Sequence, residues 1–123
     1  MSKRKPRGEY EDAFTKAIIK FEKEELGRGP KEARSYFLGD MILIRLRGIL
    51  TPAESMLAKE REGRALVKET RRQLLESSKP NIEQIVHEVL GLELVSLYTD
   101  MSTETAERVI ALVVDGNLDE LFE

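Results

Sequence analysis

The chain has 123 residues, 41% apolar and 35% charged, with 20 basic side chains against 23 acidic and a net charge of −3. That size fits one domain with a real core, and the apolar share excludes disorder across the whole chain. The slight acidity argues against bulk nucleic-acid affinity, the lack of cysteine removes disulfides and thiolate metal sites, and no apolar run approaches the ~20 residues of a membrane span.

Residues 1–8 read as a flexible basic tail, with Lys3, Arg4, Lys5 and Arg7 around a proline, ahead of a single domain at 9–123. No apolar stretch follows the tail, so it is not a secretory signal, and the expected location is cytoplasmic. Phe14, Ala17, Ile18, Phe21 and Leu26 fall near one helical face. "LGRGP" ends that helix, because Gly27 suits the left-handed closing position and Pro30 cannot extend it. Two strands, "ARSYFL" and "MILIRLRG", follow around a tight turn at Gly39-Asp40. In the second strand Ile42, Ile44 and Leu46 share a core face, while Met41, Leu43, Arg45 and Arg47 share the other.

"TPAE" is a helix opening: Thr51 caps, Pro52 takes the first turn and Glu54 completes a capping box. The predicted helical region runs to about Ser77, with a break near Gly63. A third helix follows "SSKPN", with Ile82, Ile85, Val86 and Val89 at i, i+3, i+4, i+7 spacing, and closes at Gly91. "LELVSLYT" and "ERVIALVVDG" read as strands around the polar loop "DMSTETA", and "NLDELFE" as a short closing helix.

The element order predicts an α+β fold of two pseudo-repeated α-β-β units, forming a four-stranded, mainly antiparallel sheet with helices packed on one face. The last strand is apolar on both faces, so the open side of the sheet calls for a cover, most simply a second copy in a homodimer. Few amides (Asn81, Asn117, Gln73 and Gln84) beside abundant Glu, Lys and Arg fit a thermophile.

Catalytic signals are thin. His87 is the only histidine and has no neighbouring His or Cys to complete a metal set. No nucleophile elbow, P-loop or dinucleotide fingerprint occurs, and "DMSTET" lacks the glycine and closing glutamate of a calcium loop. The expectation is a non-enzyme with no catalytic residues, no cofactor and no metal. Two clusters of cations stand out instead. Arg28, Arg34, Arg45 and Arg47 surround one turn and one hairpin, where planar guanidinium pairs suit bicarbonate, phosphate or a nucleotide. Arg61, Arg64, Lys68, Arg71 and Arg72 form a stripe on the long helix, opposite Leu66, Val67, Thr70 and Leu74. Such a stripe can dock an acidic partner, an anionic surface or a nucleic-acid backbone.

Three segments carry a family resemblance: Gly27-Arg28-Gly29-Pro30, Leu50-Thr51-Pro52-Ala53-Glu54, and the loop and strand start from Asp100 to Arg108. Through them, residues 9–115 resemble the MpsC-like family, a former domain of unknown function. Its name comes from a component of a sodium-translocating, membrane-potential-generating system in bacteria. The resemblance implies a small soluble accessory or regulatory protein of an ion-translocating or inorganic-carbon-uptake membrane system, with a membrane-protein partner. It brings no catalytic residues. The alternatives are a small-anion sensor and a nucleic-acid-binding protein that uses the helix stripe.

Overall fold

A computed structural model of the protein describes residues 4–122; Lys3 of the basic tail lies outside the described residues. Helix α1 (Arg7–Leu26) begins inside the expected tail, directly after Pro6. It ends where Gly27 turns left-handed, at φ 78°, and returns its N–H to the Lys23 carbonyl. Strands β1 (Glu32–Leu38) and β2 (Met41–Arg47) form the expected hairpin, with Gly39 at φ 64° in the turn. Helix α2 (Pro52–Leu57) opens on a reciprocal capping box. Thr51 Oγ1 accepts from Glu54 N at 3.1 Å, and Glu54 Oε1 accepts from Thr51 N at 3.0 Å. Helices α3 (Arg61–Ser77) and α4 (Lys79–Leu90) follow, then β3 (Leu94–Ser102) and β4 (Glu107–Val114). The expected closing helix is a single 3₁₀ turn, Leu118–Glu120, capped by Asn117.

The helical break falls at Ala58–Glu60, not at Gly63. Gly63 is the third residue of α3 and lies against the end of α2. A Cβ there would stand 1.7 Å from the Leu57 carbonyl oxygen, so only glycine lets the two helices meet this closely.

The sheet is antiparallel throughout, in the order β1-β2-β4-β3. Each α-β-β half therefore contributes its second strand to the centre and its first to an edge, with α2 and α3 inserted between the halves. The inner face carries Phe37, Ile42, Ile44, Leu46, Ile110, Leu112 and Val114, all buried against Phe14, Ile18 and Phe21 of α1 and Ile82, Val86 and Leu90 of α4. Both edges are blunted. Glu11 of α1 accepts the outward Phe37 N–H of β1 at 2.9 Å, and β3 has a register irregularity between Leu94 and Ser96.

Helix α3 departs from its predicted orientation. Its buried residues are Val67, Arg71 and Leu75, whereas Leu66 is 55% and Leu74 36% exposed. The true inward face is turned by roughly one residue, about 100°, from the most apolar one. Ion pairing of Arg71, described below, makes that turn possible.

Candidate functional site

The pairing register sets the outer face of the sheet out as four rows, each crossing β1, β2, β4 and β3 in turn. Leu38, Met41, Val113 and Ser96 form the first row, and Tyr36, Leu43, Ala111 and Tyr98 the second. Arg34, Arg45, Val109 and Asp100 form the third, and Glu32, Arg47, Glu107 and Ser102 the fourth. No described helix packs on this face, and Tyr98 at 60% and Leu38 at 55% exposure mark its apolar half as open.

Three of the four hairpin arginines meet at the charged end of this grid. Glu107 Oε2 accepts from Arg45 Nη2 at 2.6 Å and from Arg47 Nε at 3.1 Å, and these two bonds hold its carboxyl below the usual range. Arg34 stands directly opposite Arg45 across the hairpin and lies over the Tyr36 ring at 5.8 Å. Like charges directly opposite across strands oppose each other; here Arg45 and Arg47 share Glu107, with the more distant Glu32 beside Arg47, and Arg34 pairs with neither carboxylate. Together Arg34, Arg45, Arg47, Tyr36, Ala33 and Glu32 line an open groove of about 240 Å³. Arg28 does not join them; it donates to the Leu50 carbonyl at 3.3 Å.

The α3 cations are not a free stripe. Arg71 does not face outward with the others: it is 2% exposed, and its Nε and Nη2 each reach Glu54 at 2.7 Å while Nη2 also donates to the Ile49 carbonyl at 2.7 Å. Arg72 is clasped by Glu69 and Glu76 on its own helix, and its hydrogen bonds hold Glu69 down to about 2. Lys68 reaches over the β3 edge to Asp100 at 3.2 Å, and Arg64 donates to the Ala58 carbonyl at 3.3 Å. Arg61 is exposed at the start of α3, with no ion pair among the described residues.

Arg71 belongs to a buried network that ties α1, α2, α3, β3 and β4 together. Arg108, 3% exposed, donates to Thr99 Oγ1 at 3.0 Å and to the Arg71 carbonyl at 2.9 Å, and its Nη1 stands 3.8 Å from Glu22 Oε1. Burial pushes Glu22 up, against the pull of Arg108 and Arg71. Burial also pushes Arg108 down. Glu54 is lifted by burial too, but hydrogen bonds from Arg71 and Thr51 prevail and hold it below the usual range. Glu22 Oε1 and Arg71 Nη1 are buried without hydrogen-bond partners among the described residues.

No group of acidic or histidine side chains that could hold a metal ion occurs among the described residues. His87 is exposed and pairs through Nδ1 with Glu93 at 2.9 Å. No described helix is long and apolar enough to cross a membrane.

The family model for the "Na+-translocating membrane potential-generating system (MpsC)" matches residues 6–116. The chain belongs to the MpsC family. It is similar to "Uncharacterized protein YbcI" of Bacillus subtilis (strain 168), 36% identical over 120 residues that cover 98% of this chain and 97% of that one. It is also similar to "Uncharacterized protein YrhF" of the same organism, 33% identical over 112 residues, 89% of this chain and 91% of that one. No solved structure matches.

Within this MpsC-family chain, sequence reasoning missed Glu22, Arg108 and the inward role of Arg71. Signals existed for the first two. Glu22 sits four residues after Ile18 and eight after Phe14, on the buried helical stripe. Arg108 falls on the same strand face as Ile110, Leu112 and Val114. A cation on a core face calls for a carboxylate partner.

Proposed function

We propose that this MpsC-family protein is a non-enzymatic accessory or regulatory component of a bacterial ion-translocating membrane system, acting in the cytoplasm as a homodimer. The observation that carries the reading is the family match over residues 6–116, nearly the whole described fold. Two features support it. The ionisable side chains that are most buried, Glu22, Arg71 and Arg108, are engaged in holding helices and sheet together. The outer sheet face is left open by the described helices and offers contact area rather than a reaction centre. The contact surface we assign is therefore that face instead of the α3 stripe, because Arg71 is buried and Lys68 and Arg72 are paired within the chain. The same pairing counts against docking of a nucleic-acid backbone. Deleting the gene in a bacterium that carries it, and following membrane potential with a voltage-sensitive dye as external sodium is varied, tests the reading. A sodium-dependent loss of potential, restored by the intact gene, is expected; an unchanged response discards the proposal.

One observation favours a second reading, a small-anion sensor: the direct opposition of Arg34 and Arg45 in a groove of about 240 Å³. An anion there relieves the repulsion between the two guanidiniums. Calorimetry with bicarbonate, phosphate and a nucleotide tests it. Binding that Arg34→Gln abolishes supports the sensor, and silence across the panel sinks it.

A further inference from the structure

The four rows of the outer sheet face carry more than an apolar patch; they carry a pattern that fits itself in one orientation. We propose that two copies pack outer face to outer face about a two-fold axis parallel to the strands, with Arg34 of each protomer paired with Asp100 of the other. This rests on the homodimer proposed above and adds its geometry.

Consider what each symmetry does to the grid. An axis running along the strands keeps every row in register with itself and exchanges the edges, so β1 faces the partner's β3 and β2 faces the partner's β4. The third row then sets Arg34, at one margin, over Asp100, at the other, and Arg45, which keeps its pair with Glu107, over Val109. The second row sets Tyr36 over Tyr98 around a centre of Leu43 and Ala111, and the first sets Met41 over Val113. An in-plane axis running across the strands reverses the rows instead. It lays Arg47 over Met41 and Glu32 over Leu38, burying charges against apolar side chains. Self-complementarity of the first kind is what an isologous contact requires. The length of the arginine side chain absorbs the offset that the usual sheet-on-sheet angle of about 30° introduces at the margins.

Two further observations agree. Among the described residues Arg34 has no carboxylate partner, only the Tyr36 ring. Asp100 is held ionised by the Met101 N–H and by Lys68, and its side chain is 80% exposed, so it retains acceptor capacity. Within one protomer Arg34 and Asp100 lie on opposite edge strands, three strand spacings or about 14 Å apart, so they do not pair in cis.

That separation makes the test clean. Arg34→Glu and Asp100→Arg are prepared separately and together, each checked for native circular dichroism, and sized by sedimentation across a concentration series. The parent chain is expected at twice its 14.1 kDa mass. Each single variant brings two like-charge contacts into the dimer and is expected to weaken it by about tenfold or more. An equimolar mixture of the two single variants restores opposite charges at both contacts and is expected to dimerise again, as is the double variant alone. A parent chain that stays monomeric overturns the homodimer together with this geometry. A parent dimer that survives both single substitutions, or single variants that fail to rescue each other, overturns the geometry alone.

Discussion

Arg71 and Glu54 meet through two hydrogen bonds of 2.7 Å each, from neighbouring helices and across a separation of 17 residues. The same carboxylate closes the capping box of α2, so one side chain both starts a helix and neutralises a buried cation. Replacing Arg71 with Met strands that carboxylate and the Ile49 carbonyl. The expected loss is about 3 kcal/mol in a urea melt. Adding Glu54→Gln to Arg71→Met removes the stranded charge and should recover part of it. A loss from Arg71→Met below ~1 kcal/mol would show that the carboxylate escapes to water.

Glu22 gives the fold a distinctive pH response. Burial holds its folded pKa above the unfolded value, so the folded state binds the proton more tightly. Its contribution is greatest at low pH and is lost as pH rises from the unfolded value through the raised folded one. Glu54 runs the opposite way: its folded value is depressed, and its contribution is lost as pH falls through that value. Thermal melts of the parent and of Glu22→Gln from acid to neutral pH isolate the first effect. The stability of the parent relative to the variant should decline with rising pH; a flat difference would mean that Glu22 is solvated.

Thr51→Ala removes the acceptor for Glu54 N and loosens the reciprocal bond. The expected cost is about 1 kcal/mol. Because Glu54 also holds Arg71, the Thr51→Ala and Arg71→Met effects should not add in a double-mutant cycle.

Gly63→Ala places a methyl group 1.7 Å from the Leu57 carbonyl oxygen. Helix α3 would have to move away from α2, carrying Val67 and Arg71 with it. A drop of roughly 2 kcal/mol or more in unfolding free energy is expected, despite the better helix propensity of alanine. A neutral or stabilising result would show that the α2–α3 corner is pliable.

Much of the architecture was legible because local chemistry and global fold agree at the boundaries. Gly27 and Gly91 close helices in the left-handed conformation, Gly39 turns the first hairpin, and Thr51 to Glu54 build the predicted cap. Period-two alternation found the core face of β2, but β4 is apolar on both faces, and only its packing shows that Arg108, Ile110, Leu112 and Val114 point inward. The inner face of α3 is not the one that hydrophobicity picks out, because the fold buries an arginine there. The pairs that make this possible reach from Arg71 to Glu54 and from Arg108 to Glu22, and periodicity within one helix carries no information about them. Strand order was equally hidden. The adjacency of β2 and β4, which brings Glu107 to Arg45 and Arg47, is a contact between the two halves.

The carboxylate that Glu11 lends to the margin of β1 bears on how copies can accumulate. Another chain seeking to lengthen the sheet there must first displace a charged acceptor and the helix that bears it. At the opposite margin it meets a kinked strand and the Lys68–Asp100 bridge. Growth into open-ended ribbons is thereby obstructed on both flanks, and crowding at high concentration should not yield fibrils.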